Sequence, residues 1–264
     1  MTDNIMKKLT ILILALAVSM AAVAQTPVPD TPTPNKPAAA ARPVPAAPQL
    51  AANSYILTDF NSGRILVEQN ADLRVEPASI TKLMTAYVVF RELEEGNITL
   101  QETVQVSEKA WRTGGSRMFI EPDMQVKVED LMRGMIIQSG NDASVALAEH
   151  MAGSEEALAG LMNHYAEQLG MTGTNFTNST GLPDPDHYTT ARDINILSAA
   201  TVRDFPDYYT WYSEKEFTFN NIRQHNRNTL LWRDPAIDGL KTGHTEAAGY
   251  CLAASAMRDG MRLI

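Results

Sequence analysis

The spacing of hydrophobic positions changes along the chain, from strand-like at both ends of the folded region to helical between them. Residues 54–59 and 65–68 have strand character, and Asn61-Ser62-Gly63 between them is typical of a hairpin turn. Strand character returns late, at residues 216–219, 237–240, 248–257 and 261–264. The central segments repeat hydrophobic residues every three or four positions, which predicts helices at 128–138, 141–151 and 154–169. This order predicts one sheet built from both ends of the chain, with helices packed on it.

Several helix boundaries are marked by residues with known capping chemistry. A helix is predicted to open at Pro77-Ala78-Ser79 and to stop at Gly96. Ser154 is a predicted N-cap for the third central helix. Thr190 begins a Thr-Ala-Arg-Asp sequence that resembles a capping box and predicts one further helix.

The first 24 residues resemble a signal peptide. Lys7 and Lys8 precede a hydrophobic run over 9–18, and Ala22-Val23-Ala24 supplies the small residues of a signal-peptidase site. The run is shorter than the roughly 20 residues of a membrane-spanning helix, although an uncleaved N-terminal anchor is the alternative. We therefore expect an exported protein whose mature form starts after residue 24.

Composition limits the remaining possibilities. Residues 25–49 are mostly Pro, Ala and Thr and predict an extended linker, which leaves 50–264 as the folded domain. The net charge of −9 argues against nucleic acid as a partner, because phosphate binders carry a basic excess. None of the five histidines has the spacing of a metal site, so we expect no metal and no cofactor. The chain stops inside the apparent strand at 261–264, and we expect it to be a truncated product.

The first candidate site is a helix start in which Ser79 precedes Lys82 by three residues. Residues three apart share one face of a helix, so the hydroxyl and the amine can meet. The positive end of the helix, together with burial, favours loss of the Lys82 proton, and a neutral lysine can activate the serine. Alone, S-x-x-K is weak evidence, because about one match is expected by chance in a chain of this length. A helix cap followed by a solvated lysine is the alternative.

Two further motifs follow in order. Ser139-Gly140-Asn141 lies in a predicted turn between helices, where turn chemistry alone is the alternative. Lys241-Thr242-Gly243 lies on a predicted late strand, where a charge and a hydroxyl can meet a carboxylate and the glycine permits close approach to a ligand. An exposed edge strand also commonly carries Lys and Thr. Coincidence of all three motifs in this order is improbable, and the set is a signature of penicillin-binding proteins and class A β-lactamases.

Over residues 54–264 the sequence resembles the low-molecular-weight penicillin-binding proteins, and specifically their D-alanyl-D-alanine carboxypeptidase branch. The resemblance is carried by the three motifs, by the continuation of K-T-G into K-T-G-H-T, and by Tyr-Thr-Thr-Ala-Arg-Asp at 188–193. It implies an α/β fold of the penicillin-binding and β-lactamase type. In that fold an antiparallel five-stranded sheet is flanked by helices and carries a largely helical insertion, and its C-terminal end would be truncated here.

The resemblance also implies a reaction, the removal of the terminal D-alanine from peptidoglycan stem pentapeptides through an acyl-enzyme on Ser79. Lys82 would accept the proton of the serine, Ser139 would relay a proton to the departing D-alanine, and Asn141 would hold the peptide. β-Lactam antibiotics would acylate the same serine.

The late strand would bind the other parts of the substrate. Lys241 and Thr242, beside Gly243, would receive the terminal carboxylate, and the oxyanion would lie between the backbone N–H groups of Ser79 and His244. The side chain of His244 is open to two interpretations, a role in tuning pH dependence or specificity and no role at all. Residues 114–119 resemble a loop that flanks the family's active site, but a plain glycine turn explains them equally, and we leave them out of the candidate site.

The resemblance further implies a periplasmic location, at the outer face of the inner membrane in the full-length form. Members of this branch usually continue into a β-rich domain and a C-terminal amphipathic helix that lies on the membrane. We therefore expect association with a membrane surface only if such a region follows residue 264.

Three other functions stay open. A D,D-endopeptidase that cuts cross-linked peptidoglycan would use the same site. A class A-like β-lactamase would need a deacylating glutamate, and none occurs between Glu167 and Glu214. A non-catalytic penicillin-binding sensor or scaffold is disfavoured because both Ser79 and Lys82 are present.

Overall fold

The computed structural model describes residues 46–264. The predicted signal peptide (1–24) and residues 25–45 of the predicted linker lie outside the described residues, while residues 46–49 are exposed and have no regular secondary structure. Among the described residues, no helix is both long enough and apolar enough to span a membrane.

Short strands and longer helices alternate along the described region. The strands are β1 (Tyr55–Thr58), β2 (Ile65–Gln69), β3 (Thr103–Gln105), β4 (Gln125–Lys127), β5 (Glu216–Phe219), β6 (Ile222–His225), β7 (Ile237–Thr245), β8 (Gly249–Arg258) and β9 (Met261–Leu263). The helices are α1 (Lys82–Glu94), α2 (Glu108–Arg112), α3 (Val128–Arg133), α4 (Asn141–Ala152), α5 (Glu155–Leu169), α6 (Ala191–Asp204), α7 (Pro206–Tyr209) and α8 (Leu230–Arg233). Two 3₁₀ turns and one π-helical turn accompany them, at Ala78–Thr81, Thr210–Ser213 and Gly134–Gln138.

The two ends of the folded region meet, as the order of elements predicts. β7, β8 and β9 form an antiparallel sheet, and β1 and β2 form a hairpin. The backbone N–H of Thr58 donates to the carbonyl of Ile264 at 2.8 Å, and the N–H of Ile264 donates back at 3.1 Å. These bonds join the hairpin to the end of the three-stranded sheet. That all five strands count as one continuous sheet stays a prediction.

Helix α1 is the centre of the hydrophobic core. Nine consecutive residues from its start are buried, Lys82 through Phe90, so the helix is covered on all sides by the elements around it. A helix with no exposed stripe is held rigidly in position. The 3₁₀ turn Ala78–Thr81 leads directly into α1 and shares that fixed position.

The predicted helix caps are confirmed. The Ser154 hydroxyl accepts from the backbone N–H of Ala157 at 3.1 Å, and Thr190 accepts from the N–H of Asp193 at 3.0 Å. The segment 128–138, predicted as one helix, is instead divided into α3 and the π-helical turn. Gly134 starts that turn, and a Cβ there would lie 2.4 Å from the sulfur of Met118. Close packing against Met118 therefore accompanies the change in helix type, which periodicity alone does not reveal.

Candidate active site

Ser79 and Lys82 meet at the start of the buried helix. Ser79 lies in the 3₁₀ turn and Lys82 is the first residue of α1, and Lys82 Nζ is 3.0 Å from Ser79 Oγ. Residues three apart eclipse one another in 3₁₀ geometry, so this turn aligns the pair more closely than an α-helical turn would. Ala78, just before the serine, has a φ of +47°, a left-handed conformation that is costly for a residue with a Cβ.

Lys82 is enclosed by acceptors from two distant parts of the chain. The side chain is 1% exposed, and Nζ donates to Asn141 Oδ1 and to the carbonyl of Thr180, each at 2.6 Å. Burial holds the pKa of Lys82 well below its ordinary value, and the positive charge of Lys241 lowers that pKa further. The negative charges of Asp142 and Glu155 act in the opposite direction.

The second motif contributes one free hydroxyl and one engaged amide. Ser139 has a φ of +68° where the π-helical turn ends, and its Oγ is buried without a hydrogen-bond partner among the described residues. Asn141 is engaged at both ends, because Oδ1 accepts from Lys82 and Nδ2 donates to the carbonyl of Gly114 at 2.7 Å. Asn141 therefore supports Lys82 in this structure, and its role in holding a peptide stays a prediction.

The glycine-containing loop 114–119, which sequence reasoning left out of the candidate site, touches it directly. A Cβ on Gly115 would lie 2.6 Å from Asn141 Nδ2, and Gly115 has a φ of +85°. The Asp142 carboxylate fixes the loop by accepting from the backbone N–H groups of Met118 and Phe119, each at 3.0 Å. Asp142, directly after the second motif, was the sequence signal for this contact. A buried carboxylate needs several donors, and here the backbone of the loop supplies them.

Strand β7 brings the third motif against the serine. A Cβ on Gly243 would lie 3.0 Å from the backbone nitrogen of Ser79. The close approach predicted for this glycine is therefore to the 3₁₀ turn Ala78–Thr81, here named the serine turn. Lys241 is 2% exposed, and its Nζ donates to the carbonyl of Thr242 at 3.2 Å. Burial, with the charge of Arg227 as a second cause, lowers the pKa of Lys241 to about 7. The exposed ring of His244 lies 4.3 Å from that of Tyr250.

These elements border one open cleft of about 560 Å³. It is lined by Ser79, Ser116, Ser139, Arg227, Asn228, Thr229, Leu230, Thr242, Gly243, His244, Tyr250, Cys251 and Leu252. Three of the eight predicted site residues do not line the cleft, because Lys82, Asn141 and Lys241 are buried. Sequence reasoning missed Arg227 and the carbonyl of Thr180, and neither belongs to a recognisable motif.

No metal centre accompanies this cleft within residues 46–264, where no group of three or more His, Cys, Asp or Glu side chains could hold an ion.

Comparison with known proteins agrees with the motifs and with the fold. Residues 41–264 match peptidase family S11, described as D-alanyl-D-alanine carboxypeptidase. The chain belongs to this family. The carboxypeptidase DacA of Escherichia coli K12 is 50% identical over 228 residues, which cover 84% of this chain. That alignment spans only 57% of the length of the E. coli protein.

Solved structures of family members have the same fold. Penicillin-binding protein 5 of Haemophilus influenzae superposes with a TM-score of 0.81 at 49% identity, covering 83% of this chain and 65% of that one. Penicillin-binding protein D2 of Listeria monocytogenes, solved in an ampicillin-bound form, gives a TM-score of 0.74 at 30% identity, covering 82% and 89%. The predicted α/β fold of the penicillin-binding type is thereby confirmed.

Proposed function

We propose that the protein is a serine D-alanyl-D-alanine carboxypeptidase that removes the terminal D-alanine from peptidoglycan stem peptides through an acyl-enzyme on Ser79. The observation that carries this proposal is the buried amine of Lys82, 3.0 Å from the serine oxygen and enclosed by two further acceptors. Membership of the S11 family, and 50% identity to a protein named as such a carboxypeptidase, support the same function.

The contacts of Lys82 suit a general base. A neutral amine has two N–H donors and one lone pair, and the two shortest contacts are acceptors, Asn141 Oδ1 and the carbonyl of Thr180. Once both N–H groups are donated to those acceptors, the lone pair is left for the third neighbour, the Ser79 hydroxyl. Burial, and the charge of Lys241, lower the pKa of Lys82 and so favour this neutral form. Ser79 can then transfer its proton to Nζ as its oxygen attacks the carbonyl of the penultimate D-alanine.

The leaving group needs a proton, and Ser139 is suited to relay it. Its Oγ is buried, borders the cleft beside Ser79 and has no hydrogen-bond partner in the described region. A hydroxyl with both its proton and its lone pairs uncommitted can take a proton from the lysine side and donate one to the departing amine. Water then hydrolyses the ester on Ser79 and restores the free hydroxyl.

The terminal carboxylate of the substrate fits the positively charged end of the cleft. Thr242 and the exposed Arg227 both border it, and the buried Lys241 precedes Thr242 on β7. A guanidinium and a hydroxyl are strong donors for a carboxylate, which favours a substrate with a free C-terminus. The backbone N–H groups of Ser79 and His244 would receive the oxyanion, and the packing of Gly243 on the serine turn brings the two residues close.

Further parts of the proposal rest on the N-terminal sequence and on the family. We infer export by the signal-like segment 1–24 and a periplasmic site of action, where stem peptides ending in D-Ala-D-Ala and β-lactams would be the partners. Attachment to the outer face of the inner membrane would require a region following residue 264.

The test is mass spectrometry of the full chain after incubation with benzylpenicillin. We expect one adduct per chain, on the peptide that carries Ser79, which is absent in Ser79→Ala and retained in Ser62→Ala, an exposed hairpin serine. An adduct on any other residue, or none, would refute the assignment of the nucleophile.

Activity assays then separate the related functions. A linear pentapeptide should release D-alanine faster than a cross-linked muropeptide is cut. The reverse order would make the protein an endopeptidase, and penicillin labelling without any cleavage would make it a sensor. Rapid continuous turnover of nitrocefin would instead indicate a β-lactamase.

A further inference from the structure

The segment between α5 and α6 packs directly against the serine turn. Gly181 lies so close to it that a Cβ would be 1.8 Å from the carbonyl oxygen of Ala78 and 2.8 Å from Thr81 Oγ1. Its φ of +82° is in the left-handed region, so this contact depends on glycine in two ways. The neighbouring carbonyl of Thr180 accepts from Lys82 at 2.6 Å. One side of the catalytic amine is therefore supplied by a loop, here named the lysine loop (residues 177–188).

A buried histidine forms the second connection between the lysine loop and the serine turn. His187 is 2% exposed, and its Nε2 is 2.8 Å from Thr81 Oγ1. At the other end of the ring, Nδ1 accepts from the backbone N–H of Thr177 at 3.0 Å. The imidazole thus joins the first residues of the lysine loop to a residue that stands between Ser79 and Lys82 in the sequence.

The geometry determines the protonation of this ring. A backbone N–H can only donate, so Nδ1 must be unprotonated, and the proton of the neutral imidazole is on Nε2. Nε2–H then donates to Thr81 Oγ1. Burial lowers the pKa of His187 to about 4, against a small opposing effect of Asp184, so the ring stays neutral at the pH of the reaction.

Thr81 is available for this bond because it does not cap the helix. It occupies the N-cap position of α1, yet its side chain makes no capping hydrogen bond, and it is fully buried. Loss of the imidazole would therefore leave a buried hydroxyl unpaired. It would also remove the side-chain hydrogen bond between the lysine loop and Thr81, while the Ser179 carbonyl would still accept from Thr85 and Ser144.

We propose that His187 is a positioning residue for the reaction at Ser79: through Thr81 it holds the lysine loop against the serine turn and so keeps the Thr180 carbonyl on Lys82. This inference rests on the proposed function. It differs from a purely structural role because Thr180 takes up one of the two N–H groups of the neutral amine. If that acceptor moves, the lone pair of Lys82 is no longer directed at the Ser79 hydroxyl.

The experiment measures acylation by benzylpenicillin per active site, so that any unfolded fraction does not count. Active sites are titrated first, and then kcat and KM for D-alanine release are measured separately. We expect His187→Phe to slow acylation per site by about tenfold or more, since displacement of a catalytic group by about 1 Å can cost up to about a hundredfold. KM should change by less than about twofold, because the carboxylate end on β7 is untouched.

Conservative and control variants distinguish positioning from general destabilisation. His187→Gln keeps an acceptor and a donor on one planar group and should recover acylation to within about threefold of the wild type. Thr81→Val removes the same hydrogen bond by deleting its acceptor. The double variant, His187→Phe with Thr81→Val, should be acylated no more slowly than the slower of the two single variants. His164→Phe is the matched control, because His164 is exposed on α5 and its side chain bonds Gln168.

Several results would overturn the proposal. The first is an acylation rate per active site in His187→Phe that stays within about twofold of the wild type. The second is a rate in His187→Gln that is as slow as in His187→Phe, and the third is a loss in the double variant that equals the sum of the two single losses in free energy. If His187→Phe does not fold, Thr81→Val decides, and an unchanged rate there overturns the proposal. A wild-type chain that forms no penicillin adduct overturns the proposed function and this inference with it. If the wild type is active and substitution of His187 leaves the acylation rate unchanged, only the inference is overturned.

Discussion

Replacing Lys241 by methionine should make the protein more stable, by an amount that depends on pH. Burial lowers the pKa of this lysine to about 7, whereas its ordinary value is 10.5. Between these two values the unfolded chain binds a proton that the folded chain has released. The free energy of unfolding of the wild type therefore rises with pH in this window, by up to about 1.4 kcal/mol per pH unit from this group.

The magnitude follows from the two pKa values. The proton released on folding costs the folded state about 3 kcal/mol at pH 8 and about 2 kcal/mol at pH 9. Methionine has a similar length and no proton to release. The free energy of unfolding of Lys241→Met should therefore rise by these amounts, minus the contribution of the hydrogen bond that Lys241 donates to the Thr242 carbonyl. That bond and any change in packing do not vary with pH between 8 and 9. The change of about 1 kcal/mol between the two pH values is thus the quantity to test.

The assay is urea unfolding followed by tryptophan fluorescence, which the three tryptophans of the chain allow. Lys215→Met is the matched control, because Lys215 is exposed, and its effect should be small and equal at both pH values. A stability difference for Lys241→Met that stays constant from pH 8 to pH 9, or that grows, would show that the buried lysine is not losing its proton on folding. The variant should also bind carboxylate-terminated peptides poorly.

Two other substitutions test the site independently. Lys82→Met should slow acylation of Ser79 by penicillin by about a hundredfold to ten-thousandfold, because the general base is removed. Competition labelling with a fluorescent penicillin measures this rate, and a loss below about tenfold would argue against Lys82 as the base. Gly181→Ala should lower the free energy of unfolding by more than about 2 kcal/mol, because its Cβ collides with the Ala78 carbonyl and the φ is left-handed. Gly160→Ala, in an open position on α5, should instead be neutral or stabilising by up to about 1 kcal/mol, and equal urea midpoints for the two variants would contradict the packing argument.

Three of the short elements, β3, β4 and α2, could not be predicted from the sequence. They have only three to five residues each, and the pairing of β3 with β4 joins residues 20 to 24 positions apart. The long amphipathic helices and their caps could be predicted, because periodicity and capping depend on neighbours within about four residues. The helical character of the segment before Ser139 could be predicted, but its π-helical turn could not. That turn is accompanied by packing against Met118, which is distant in the sequence.

The sequence alone determined the order of the three motifs and the pairing of Ser79 with Lys82, since both depend on local spacing along one turn. The acceptors that give the lysine its chemistry were decided only in three dimensions. Asn141 and Thr180 are 59 and 98 residues away from Lys82, and His187 is 106 residues from Thr81. No local pattern specifies such contacts, because they exist only once the helices are packed around α1 and water is excluded from the amine. The same burial sets the lowered pKa values of Lys82 and Lys241, which are properties of the folded environment and not of the residue type.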